Sequence, residues 1–274
     1  MSVAGCKGED PAPTSAEQGN GTSVWPEKKI SRIVYSIGTF DYLTFDFDWE
    51  DGCLSDIRST YYDGSLRSTT KLEYDQANRL KRVYPCDGSG VAYEAGAINY
   101  FYDASGRIEK QTLLLPVRQI GEHQFEADSC ELLFHYSGDN RVSEVVVSRI
   151  VSDDSIAVSH YCFDWTGGNV TSIRLLTDGN ERVIMSDMQY DSYPNPLRFP
   201  MGLETMGTDL NFEGVLGDAV LFLGYACCWC ENNMTTLLSG SGQVSMTYDD
   251  DGYVLTKTIT AGGQSSTYTF SYCE

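Results

Sequence analysis

Tyr100-Phe101-Tyr102-Asp103-Ala104-Ser105-Gly106-Arg107-Ile108 sets the reading of the whole chain. Side chains alternate along a strand, so Tyr100 and Tyr102 fall on one face and Phe101 on the other. Asp103 then opens a turn, because a short carboxylate can accept hydrogen bonds from the amides just ahead of it. Gly106 stands where a type I turn closing into a bulged hairpin needs a positive φ. Arg107 and Ile108 start the return strand. The nonapeptide therefore specifies strand, turn and strand.

The pattern recurs at Leu72-Glu73-Tyr74-Asp75-Gln76-Ala77-Asn78-Arg79-Leu80, at Phe134-His135-Tyr136-Ser137-Gly138-Asp139-Asn140-Arg141-Val142 and at Met246-Thr247-Tyr248-Asp249-Asp250-Asp251-Gly252-Tyr253-Val254. In all four copies the aromatic and the branched residue are six apart, as in Tyr74 and Leu80. The residue expected at positive φ is Asn78, Gly106, Asn140 or Gly252. Arg79, Arg107 and Arg141 read as solvated partners of the turn carboxylates. Phe47-Asp48-Trp49-Glu50-Asp51-Gly52-Cys53-Leu54 and Phe163-Asp164-Trp165-Thr166-Gly167-Gly168-Asn169-Val170 read as variants with one more turn residue, Phe47 and Phe163 taking the key aromatic position. Met188-Gln189-Tyr190-Asp191 and Phe270-Ser271-Tyr272 are degenerate copies.

The key aromatics fall at 47, 74, 102, 136, 163, 190, 248 and 272, in steps of 27, 28, 34, 27, 27, 58 and 24. A step near 27 is two strands and two turns, and the step of 58 marks a missing or replaced copy between Pro194 and Gly240. The expected fold is all-β, a long antiparallel meander of about 14–16 strands that must curl, close into a barrel or cover its edges. A short irregular or helical insertion is expected near 200–235, with helical character over Glu213 to Leu223.

Eighteen Tyr among 274 residues suit such pleated surfaces. A net charge of −20 repels phosphate backbones and argues against a nucleic-acid partner. No stretch has the roughly 20 apolar residues of a membrane helix. Val3-Ala4-Gly5-Cys6 reads as a lipobox, with Cys6 the lipidation site and the membrane a partner through that anchor. Residues 7–24 have linker composition and span roughly 25 Å as a flexible coil. The division is thus a lipobox and tether over 1–24 and one hairpin-repeat domain over 25–274.

The run from Tyr102 to Ile108 resembles the tyrosine-aspartate repeats of Rhs-type shells, which wrap cargo in β-sheet. A second resemblance covers residues 28–274, through the hairpin units, Tyr190-Asp191-Ser192-Tyr193-Pro194-Asn195-Pro196 and the double hairpin from Tyr248 to Tyr272. These are similar to a family of envelope lipoproteins of unknown function from Gram-negative gut commensals. That resemblance implies a partly open, porin-like barrel, lipid-anchored at the outer membrane, surface-exposed or facing the periplasm. It transfers no activity, cofactor or site residue. Asp46, Asp48 and Glu50 share one strand face, which argues against a true lipid-facing porin wall.

Neither His123, His135 nor His160 lies in a catalytic or metal spacing, and the latter two read as strand residues. Beyond Cys6 there are eight cysteines, and Cys227, Cys228 and Cys230 form the densest group. Packing, a disulfide and a metal site remain open for them. The acidic runs at 46–52 and 249–252 read as turns, since neither matches a calcium loop. No catalytic residue, metal site or cofactor is expected. The expected function is non-enzymatic binding of a glycan or protein at the cell surface, with the outward Phe101 as the candidate binding residue. A structural role in an envelope complex and a carboxylate-dependent hydrolase are the alternatives.

Overall fold

The computed structural model describes residues 27–93, 96–121, 124–152, 155–177, 179–198, 229–235 and 242–274, leaving aside the side chains of 114–121, 124–128, 150–152 and 155. The expected tether, with Cys6, lies outside the described residues, as do His123, Cys227, Cys228 and most of the expected insertion.

Fifteen strands among the described residues form one antiparallel sheet. They are β1 (Ile30–Ile37), β2 (Phe40–Glu50), β3 (Cys53–Tyr61), β4 (Leu66–Tyr74), β5 (Leu80–Cys86), β6 (Ile98–Tyr102), β7 (Ile108–Gly121) and β8 (Gln124–Tyr136). They continue with β9 (Val142–Ser152), β10 (Ser155–Thr166), β11 (Asn169–Thr177) and β12 (Asn180–Met185). After a separate pair, β13 (Tyr190–Pro194) and β14 (Asn232–Met234), come β15 (Gly242–Tyr248), β16 (Val254–Ala261) and β17 (Gln264–Tyr272). The order runs from β12 back to β1, then through β17 and β16 to β15. Its end strands are not paired with each other, so the meander is open, as expected.

Alternation decides which face is buried. Leu43, Phe45 and Phe47 point inward from β2 while Asp46 and Asp48 point outward. Residues as distant as Ile33, Val83, Leu132, Ile173 and Ile259 join one buried cluster. A sheet this wide reaches a single core only by curling around it. Outside, Asp46 pairs with Arg32 at 2.6 Å, Asp48 with Arg58 at 3.2 Å and Asp164 with Arg174 at 3.1 Å. Such exposed pairs add little stability, yet they make this outer face charged, unlike the apolar band of a bilayer-spanning barrel.

Because the meander is antiparallel, its turns fall at two ends. The repeated aromatic turns (β2–β3, β4–β5, β6–β7, β8–β9, β10–β11 and β15–β16) gather at one end, where β1 also begins. The alternate tips, including β1–β2, β3–β4 and β16–β17, form a rim at the other end. Strands of this length separate the two ends by roughly 25–35 Å.

Candidate functional site

The turn end is locked by one repeated set of groups. Asp75 accepts from the amides of Ala77 and Arg79 at 2.8 and 2.9 Å, and Asp103 does the same with Ser105 and Arg107. Asn78, Gly106, Asn140 and Gly252 hold positive φ of 56°, 80°, 62° and 86°, as the turn reading requires. Arg79 Nε donates to Asp75 Oδ2 and Arg107 Nε to Asp103 Oδ2, each at 2.8 Å. Burial raises the two carboxyls, but the amides and guanidiniums of Arg79 and Arg107 outweigh it and hold both below the usual range.

Each turn is then tied to its neighbour by an aromatic tip. Tyr74 Oη donates to the Leu54 carbonyl at 2.7 Å, Tyr102 to Leu80 at 2.6 Å, Tyr136 to Ile108 at 2.8 Å and Tyr272 to Val254 at 2.7 Å. Indoles do the same work in two hairpins, Trp49 Nε1 donating to Ile30 at 2.7 Å and Trp165 Nε1 to Val142 at 2.8 Å. The rings also carry cations: the Arg79 guanidinium lies 4.4 Å from the Tyr102 centroid and that of Arg107 4.7 Å from Tyr136. Burial pushes the phenols of Tyr74, Tyr102, Tyr136 and Tyr272 well up, so they remain neutral donors.

This geometry corrects two expectations. Phe47 and Phe163 are core residues, and Trp49 and Trp165 take the repeated position. Their hairpins close through two-residue loops, 51–52 and 167–168, so they have one residue fewer between ring and branched residue, not one more. The overlooked signal was chemical: the repeated position takes only Tyr or Trp, rings with a hydrogen-bond donor at the tip.

The gap between β12 and β15 is bridged at the same end by β13 and β14. On the β11 side, Tyr190 Oη donates to the Val170 carbonyl at 2.6 Å. Asn169 and Asn232 exchange bonds of 2.9 and 3.0 Å, and the Val170 amide donates to Cys230 Sγ at 3.2 Å. On the other side, Tyr248 Oη donates to Asp191 Oδ2 at 2.6 Å, Tyr193 stacks on Tyr248 at 4.1 Å and Lys257 Nζ donates to the Met234 carbonyl at 3.2 Å. Asn233 Nδ2 joins the two strands through Asp191 Oδ2 at 3.0 Å. This pair replaces the missing hairpin copy. Cys230 is buried and precedes β14.

The opposite rim exposes rings instead of burying them. Phe40 and Tyr62, 49% and 67% exposed, lie 5.0 Å apart with their planes inclined at 56°. Tyr42, Tyr61, Ile37 and Leu66 are exposed around them on the β1–β2 and β3–β4 tips. Beneath, Tyr35 stacks on the buried Tyr268 at 4.9 Å. Asp41 accepts from Ser36 Oγ at 2.7 Å, and Asp63 from the Ser65 amide at 2.9 Å. The Ser65 hydroxyl, with its amide, holds the Asp63 carboxyl below its ordinary range.

Phe101 is outward and 45% exposed, as its place in the strand predicts. It lies near the turn end, with the Lys110 ammonium 4.9 Å from its ring centroid, so the structure does not bring it to the rim. His135 is an exposed strand residue, and His160 bonds Glu144 at 2.8 Å. Among the described residues, no three His, Cys, Asp or Glu side chains are placed to share a metal, and no helix is long and apolar enough to cross a membrane.

No family model and no curated protein matches the chain. Among solved structures, a porin-like protein from Bacteroides uniformis aligns with TM-score 0.50 at 13% identity, covering 91% of this chain and 100% of its own. A porin-like protein from Bacteroides vulgatus aligns with TM-score 0.46 at 11% identity, covering 89% and 99%. The Photorhabdus luminescens Tc holotoxin pore aligns with TM-score 0.31 at 12% identity, covering 79% of this chain and 11% of its own. The first likeness shows a porin-like β fold; the other two carry no argument.

Proposed function

We propose that this is a lipid-anchored outer-membrane protein that binds, rather than transforms, a glycan or protein at the cell surface. The observation that carries the reading is the cluster of exposed rings around Phe40 and Tyr62, at the end of the domain remote from where β1 begins. A chain tethered through Cys6 would enter the domain at the turn end. The rim would then face away from the lipid, where a ligand can reach it. Single exposed apolar residues are common on any surface; a cluster on adjacent hairpin tips is what marks an interaction site.

Two measurements test this. Replacing Cys6 with Ala should release the protein from membranes, and an epitope inserted at Gly64 should be reached by antibody on intact cells. A panel of polysaccharides and surface proteins should then include a ligand that the wild type binds and Phe40→Ala/Tyr62→Ala does not. Membrane retention without Cys6, a concealed epitope, or ligand binding indifferent to the two rings would each defeat the proposal.

A further inference from the structure

The chemistry of the rim narrows the ligand. We propose that the rim binds an uncharged polysaccharide chain, a deepening that rests on the binding reading above. The tips of β16–β17, β1–β2 and β3–β4 lie side by side, because β17 pairs with β1, β1 with β2 and β2 with β3. Over residues 260–266, 36–42 and 60–66 the only charged side chains are Asp41 and Asp63. The tips themselves carry no cation to meet a sulfate or carboxylate, the first beyond them being the half-buried Arg67 of β4, and the chain's net charge of −20 repels polyanions as a whole.

What the tips do offer matches a neutral sugar. The faces of Phe40 and Tyr62 can accept the C–H faces of pyranose rings, and the 56° between them suits two successive residues of a turning chain rather than one flat ligand. Asp41 and Asp63, each already accepting from the Ser36 or Ser65 hydroxyl, place acceptor oxygens on the same tips for sugar hydroxyls to donate to. The neighbouring outer face continues this character. Thr258 pairs with Thr267 at 3.0 Å and Thr260 with Ser265 at 2.9 Å, so hydroxyls stand there in place of ion pairs.

A protein ligand fits less well. β1, β2 and β3 each have partners on both sides, so no free edge is available for an extended peptide to add as a strand. Binding would have to come from side chains alone, on narrow hairpin tips where Val91 of the β5–β6 tip is the nearest exposed apolar residue beyond the two hairpins. Protein interfaces need more than that.

Affinity electrophoresis of the full chain tests the proposal. The neutral probes are α-mannan, xyloglucan and glycogen; the anionic probes are polygalacturonate and chondroitin sulfate. Retardation by at least one neutral polymer and by neither anionic one is expected. Phe40→Ala/Tyr62→Ala should weaken that retardation about tenfold or more, with an unchanged circular dichroism spectrum, since both rings are exposed. Retardation by anionic polymers alone, or by none of the five, overturns the neutral-chain assignment. If a surface protein is bound instead and released by the double variant, the rim reading stands and this deepening falls. Neutral-polymer binding that survives removal of both rings overturns the rim itself.

Discussion

Tyr102 has three roles at one position. Its ring packs against the core, its face carries the Arg79 guanidinium, and its hydroxyl donates to the Leu80 carbonyl. Only the last role requires a tyrosine. Tyr102→Phe keeps the buried ring and the cation contact but leaves the Leu80 carbonyl without that donor. It should destabilise the protein by about 1–2 kcal/mol, measured as a shift in the denaturant midpoint with unchanged m-value. Tyr102→Leu should cost more, because the ring contacts go as well. If Tyr102→Phe unfolds at the wild-type midpoint, the bond between neighbouring turns contributes nothing and the repeated Tyr or Trp needs another explanation.

The hairpin is the scale at which the sequence was most legible. Turn residues, strand faces and the antiparallel meander follow from local rules, because a four-residue turn fixes its own hydrogen bonds whatever surrounds it. Gly106, at φ 80°, shows how local the rule is. Gly106→Val should cost about 1 kcal/mol or more, since a branched side chain resists the left-handed region. Gly106→Asn should cost much less, because Asn78 and Asn140 already hold the same conformation in sister turns. Thermal midpoints of the two variants check this; equal losses would mean that crowding, not φ, selects the residue. What the strings concealed was loop length. Trp49-to-Leu54 and Tyr74-to-Leu80 are the same hairpin with a two-residue and a longer loop. Counting from Phe47 therefore matched the spacing and missed the role. The rim stayed hidden because Phe40 and Tyr62 belong to different hairpins and meet only through the pairing of β2 with β3.

Over the whole molecule, an open sheet of fifteen strands has two ends to restrain, and the β13–β14 pair holds both. No periodicity announces it: Asp191 and Tyr248 are 57 residues apart, and Asn169 and Asn232 are 63 apart. Its central group is Asp191, which accepts from Tyr248 Oη and from the buried Asn233 side chain. Burial, together with the Asp191 carboxylate, pushes the Tyr248 phenol up, so the donor stays protonated through the neutral range. Asp191→Ala would strip both donors of this acceptor at once and should cost about 1–3 kcal/mol. Tyr248→Phe alone should cost less, because Asp191 keeps Asn233. In a double-mutant cycle the two changes should couple by about 1 kcal/mol, as expected for groups in one network. The effect should also be local. Amides of β15, held on one side by β16 alone, should exchange with solvent faster in Asp191→Ala, while those of β4 to β9 keep their protection. Uniform loss of protection along the sheet would mean that the pair is one more part of the core and not the fastening of its open side.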